Sequence, residues 1–156
     1  MSRSVCFALL VLAGIIPSDS ACSCLFQTIQ QIFCKADFAG AFRIEDNGPV
    51  IDGTRVYEVE MLAMYRTVSV KHLDTEKLYA PTAIGGGCGV IFRPDAYYIV
   101  SGYYYQNPGQ LTQMRTSRCS LKIFWPHHPV PIYVPPDCDT TELEIKSDRP
   151  IVFQVK

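Results

Sequence analysis

Two thiols separated by one serine, Cys22-Ser23-Cys24, are the residues of this chain best spaced to do chemistry, and that chemistry is disulfide formation. Cysteines so close cannot fold locally into a ring, so each must reach a distant partner, and the bridges would hold this stretch rigidly at the surface. A second unusual stretch is Gly85-Gly86-Gly87-Cys88-Gly89, where four glycines around one cysteine leave a backbone nearly bare of side chains. It reads either as a flexible loop or as a surface that another molecule's main chain approaches closely. The lysine and the following helical pattern of a phosphate-binding loop are both missing. His72, His127 and His128 could in principle supply an acid, a base or metal ligands, but they stand in no partner motif. They read as exposed loop residues, so an enzyme is not expected, and neither is a cofactor of the chain's own.

What precedes Cys22 has the layout of a secretion signal. Residues 1–21 carry a positive charge at Arg3, an apolar run from Val5 to Ile16, then Pro17 and small polar residues. The apolar run is well short of the roughly 20 residues that cross a bilayer. No later segment is apolar enough to span one, so an extracellular protein without a membrane span is expected. Cutting after Ala21 would make Cys22 the first residue; cutting after Ser20 would leave Ala21 ahead of it. Cys6 leaves with the signal, and six of the seven cysteines remain, an even number that implies three disulfides with 15 possible pairings. The net charge of −1 and the scatter of lysines and arginines argue against nucleic acid as a partner.

The elements that must position these residues are short. Thr28 and Gln31 have capping-box spacing, which predicts a helix to about Lys35 with Leu25, Ile29 and Phe33 along one face. Residues 38–44 read as a first strand, ended by the turn cluster Glu45-Asp46-Asn47-Gly48-Pro49. Residues 55–67 form the clearest strand, with exposure expected to change along its length because Val56, Glu58, Glu60 and Leu62 share a side. Shorter strands are predicted over 77–80 and 97–105, and after the turn Asn107-Pro108-Gly109 another over 110–124, carrying Cys119. The tyrosines at 103, 104 and 105 are expected to pack on a sheet wall rather than to form a ligand platform. Beyond Trp125, five prolines favour an extended crossing of the surface until Cys138 fastens it, and residues 139–156 alternate as a possible β-hairpin tail. The sum is a mainly β chain of five or six short strands, one or two short helices and three disulfides, which suggests a small five-stranded or similar barrel, closed or partly open.

On these residues the chain resembles a known family. Cys22-Ser23-Cys24, Cys34, an Ala-Pro-containing strand leading to Cys88-Gly89-Val90, Tyr98-Ile99-Val100-Ser101-Gly102, and Cys119 followed by Phe124-Trp125 occur in the order seen in the amino-terminal, netrin-like domain of the tissue inhibitors of metalloproteinases. The likeness covers residues 22–125 and then Cys138, with Phe26 standing where the family usually has proline. It implies an oligonucleotide/oligosaccharide-binding barrel over 22–138, the pairings Cys22–Cys88, Cys24–Cys119 and Cys34–Cys138, and a monomer that inhibits extracellular zinc metalloproteinases.

The resemblance also implies a mechanism. The α-amine and carbonyl of Cys22 would chelate the zinc of the target protease at the position its water occupies. Ser23 would point into the pocket that takes the substrate side chain after the scissile bond. Cys24 and Leu25 would follow as a product-like strand, with Gly87, Cys88, Gly89 and Val90 covering the other side of the cleft. The alternative is a secreted netrin-like module that binds another protein and inhibits nothing.

Overall fold

A computed structural model describes residues 23–83 and 89–138 of the chain. After a short helix, α1 (Ile29–Lys35), come six strands: β1 (Phe38–Ile51), β2 (Thr54–Thr67), β3 (Leu73–Pro81), β4 (Ala96–Tyr105), β5 (Thr112–Arg115) and β6 (Lys122–Trp125). Neighbours run β1-β2-β3-β5-β4, and β1 pairs with β4, so five strands close into a barrel. β6 adds to β4 beside β5.

Closure depends on β1, which is bonded on both edges. Phe38 to Ile44 face Thr67 to Val59 of β2 on one side and Gly102 to Ala96 of β4 on the other. Four register shifts along the β1–β2 ladder bend and twist it enough to curl the sheet. Phe38, Phe42 and Ile44 point inward, where they join Tyr57, Val59, Leu78, Phe92, Tyr98, Val100 and Met114 in the barrel core. Ring pairs set the packing there: Phe92 meets Tyr57 and Tyr98 edge-on, each with centroids 5.0 Å apart. Gly102 of β4 leaves no room for a side chain, since a Cβ there would collide with the Arg115 carbonyl and the Phe38 ring.

The alternate residues of the same strands, Ala39, Ala41 and Ile99, face outward and are also buried, beneath Phe33 of α1 and Leu121. A strand covered on both faces loses polar alternation, which is why residues 38–42 are buried without a break. The helix is held by a complete capping box: the Thr28 hydroxyl accepts from the Gln31 amide at 3.1 Å, and the Gln31 side chain accepts from the Thr28 amide at 2.9 Å. Its far end is bridged from Cys34 to Cys138, with Cα atoms 5.5 Å apart. The proline-rich stretch therefore returns to α1. On the way Pro129 is buried, and Tyr133 packs on Tyr65 and Trp125.

The expected fold class holds: a mainly β protein built on a closed five-stranded barrel, with one short helix among the described residues. Several local expectations need correction. Leu25 and Ile29 do not share a buried face with Phe33, because the helix begins only after its Thr28 cap and both residues are exposed. The cluster 45–49 does not end β1; its turn-forming residues are absorbed as bulges, and the reversal comes at Asp52-Gly53, where both φ angles are positive at 48° and 72°. β3 starts at Leu73, earlier than expected. The single strand expected over 110–124 is two, β5 and β6, separated by the loop that holds Cys119. Of the three tyrosines, Tyr104 stacks on Phe38 at 5.3 Å, whereas Tyr103 and Tyr105 are exposed. The signal segment 1–21 and the tail 139–156 lie outside the described residues, as do Cys22, Gly87 and Cys88, and with them the Cys22–Cys88 pairing.

Candidate functional site

The segment that follows Cys22 lies open on the surface, and among the described residues a disulfide holds it. Ser23 and Cys24 are exposed, Leu25 retains 86% of its accessible surface and Phe26 all of it. That disulfide runs from Cys24 to Cys119, with Cα atoms 5.4 Å apart.

Cys119 can serve as an anchor because its loop is rigid. The Thr116 hydroxyl donates to the Ser101 carbonyl at 2.8 Å, and the Ser101 hydroxyl accepts from the Leu121 amide at 2.9 Å, so both ends of the loop are fastened to β4. Within the loop the Ser117 hydroxyl accepts from the Cys119 amide, and the Ser120 hydroxyl from the Ser117 amide. Ser101, Thr116 and Leu121 are buried, so these bonds are shielded from competing water.

On the other side of this loop lies the described end of the glycine-rich stretch. A cleft of about 270 Å³ is lined by Ala83, Gly89, Val90 and Ile91 and by Ser117, Arg118 and Lys122. Gly89 lies so close to the backbone of Thr82 and Ala83 that a Cβ would collide with it. Val90 enters the core: its side chain is buried, its amide donates to Pro81 at 3.2 Å, and its carbonyl accepts from the Tyr57 hydroxyl at 3.0 Å. Burial pushes the Tyr57 phenol above its ordinary pKa, against the opposing effect of the Phe92 amide that bonds it. At neutral pH it is therefore an uncharged donor.

Of the sequence-predicted site residues, the structure thus brings Cys24 to the loop that shares a cleft with Gly89 and Val90. Val90 has its side chain and both backbone groups engaged inside the protein. Five cleft residues escaped the sequence reading: Ala83, Ile91, Ser117, Arg118 and Lys122. Arg118 is exposed, Ile91 is largely exposed, and Lys122 donates from Nζ to the Ile91 carbonyl at 3.0 Å. Adjacency marks two of them, Arg118 beside Cys119 and Ile91 beside Val90, and nothing in the sequence marks the others.

The histidines are on the surface. His72 is exposed in a turn with φ of 55°, His127 is exposed, and His128 lies against the Tyr97 ring at 5.7 Å. Among the described residues, no three of His, Cys, Asp or Glu gather where a metal ion could be held. No helix among them is long and apolar enough to cross a membrane. The two bridges fit an oxidising, extracellular compartment. In comparison with known proteins, no family model and no curated protein sequence matches the chain.

Proposed function

We propose that this chain is a secreted inhibitor of extracellular zinc metalloproteinases, similar to the amino-terminal domain of the tissue inhibitors of metalloproteinases, and not an enzyme. The observation that carries the reading is the tether of the exposed Ser23-Cys24-Leu25 segment to a rigid loop beside Gly89. A product-like strand held in advance loses little conformational freedom on entering a protease cleft, so a small contact can be tight.

The zinc belongs to the target, not to this protein. Removal of residues 1–21 leaves the Cys22 α-amine free to join the Cys22 carbonyl in a five-membered chelate on that zinc, in place of the attacking water. The amine must be neutral to bind, and an α-amine with pKa of roughly 7.7–8.0 loses its proton readily beside a dication. Ser23 is small and would fill little of the adjoining pocket, which favours broad inhibition. Leu25 adds an exposed apolar side chain to the same segment.

The test is titration of a panel of metalloproteinases with purified protein whose amino terminus has been sequenced. Stoichiometric inhibition by a chain beginning at Cys22, lost when one alanine precedes it, is the expected result. A secreted form beginning at Ala21, or inhibition indifferent to the added alanine, removes the chelate. A protein that inhibits no member of the panel in either form is instead the non-inhibitory binding module.

A further inference from the structure

Within the closed barrel, the ladder between β2 and β3 is short. These strands are bonded from Thr54↔Pro81 to Glu58↔Lys77, and among the described residues the ladder goes no further. The cause lies in β3. Leu73 faces Thr112 and Leu78 faces Met114 of β5, so β3 takes five steps where β5 takes two, and the surplus bows outward around the Asp74 carboxylate, which accepts from the Glu76 amide at 3.2 Å. Opposite the bow, β2 continues to Thr67 bonded to β1 alone. In an antiparallel strand, alternate backbone groups point to either edge. From Val59 onward, β2 therefore offers one edge of amides and carbonyls that no described strand pairs.

That edge borders a cleft of about 590 Å³, within the range of ligand sites. Its lining includes Glu45, Glu58, Glu60 and Glu76, with Lys77 as the lining cation and Val59 and Met61 as apolar members. Arg43 stands 3.8 Å from Glu60, and its guanidinium is already bonded to Asp95 at 2.9 Å. An unpaired strand edge recognises extended peptide, and this lining sets the sign of the side chains it accepts. Nucleic acid and acidic glycans are repelled.

We propose that the β2 edge beyond Glu58 is a docking site for an extended, lysine- or arginine-rich segment of another protein, which adds as a strand to β2 with alternate basic side chains against Glu58, Glu60 and Glu76. None of the residues 22–25 or 87–90 takes part, so this site is independent of the proposed inhibition.

The probe is a fluorescein-labelled nonapeptide alternating lysine with valine, alongside two counterparts, one with glutamate for lysine and one N-methylated at every second amide. The lysine peptide should bind the full disulfide-bonded protein, weaken at least tenfold between 50 and 500 mM salt or on Glu58→Lys with Glu76→Lys, and slow amide exchange within residues 59–65. The other two peptides should bind at least tenfold more weakly. The idea is overturned if the N-methylated peptide binds equally well, since contact is then charge alone, or if exchange within 59–65 is unchanged. No binding by a folded protein overturns it too. So does binding that appears only after residues 139–156 are removed, which would make the chain's own tail the occupant.

Discussion

The Tyr57 hydroxyl donates to the Val90 carbonyl at 3.0 Å and lies 3.4 Å from the Phe92 amide, so one phenol on β2 fastens the irregular segment that carries Gly89. Tyr57→Phe keeps the ring and deletes the hydroxyl, leaving the Val90 carbonyl without its donor and the Phe92 amide without its acceptor. A loss of about 1–3 kcal/mol in urea unfolding is expected. Tyr65→Phe is the contrasting case, because its buried hydroxyl has no hydrogen-bond partner among the described residues. Its removal should leave stability unchanged or slightly higher.

Alkaline pH should act through the same side chains. Burial raises the pKa of Tyr57, Tyr65, Tyr79, Tyr104 and Tyr133, so the folded protein holds these protons where the unfolded chain has released them. Their stabilising contribution is complete below the ordinary tyrosine pKa of about 10 and is lost as pH rises through the higher folded values. Melting temperature followed from pH 7 to 11 should fall at the top of this range. The fall should be shallower in Tyr65→Phe, and an identical fall would show that other groups cause it.

The two described bridges should separate stability from inhibition. Replacing Cys24 and Cys119 with serine should cost about 2–5 kcal/mol and weaken inhibition at least tenfold, because the exposed segment loses its tether. Replacing Cys34 and Cys138 should cost a similar amount yet leave inhibition by the still-folded protein nearly intact. Equal effects of the two pairs on inhibition would mean that Ser23-Cys24-Leu25 needs no local anchor.

Two glycines offer a second separation. Gly89→Ala and Gly102→Ala each drive a methyl into backbone, at Thr82 and Ala83 in one case and at the Arg115 carbonyl in the other. Each should destabilise by roughly 1–3 kcal/mol. Gly89 belongs to the surface proposed to cover the protease cleft and Gly102 does not, so substitution of Gly89 alone should also raise the inhibition constant at a temperature where both variants are folded.

Much of this architecture was legible because local signals agreed with the global fold. Thr28 and Gln31 announced a capped helix, and alternation over 55–67 announced β2 to within a residue of its ends. The first hairpin was misread because two turn signals competed. Asn47-Gly48-Pro49 is the denser cluster, but bulges let it stay inside β1, and the sparser Asp52-Gly53 makes the reversal. The split between β5 and β6 had no local mark, since Thr116 and Ser101 make it by bonds across strands. The site was legible where cysteines outlined it. Arg118, Ile91 and Lys122 were not, because chain closure in space, not spacing, sets them around one cleft.

The connectivity of the bridges has a consequence for biogenesis. Cys24 and Cys34 leave the ribosome together, but their partners follow 95 and 104 residues later. A loop of ten residues closes far more readily than one of a hundred, so a Cys24–Cys34 linkage is the favoured early product and must be undone by thiol exchange. Yield should thus depend on an isomerase, and acid trapping during oxidation should catch that mispaired species ahead of the native one.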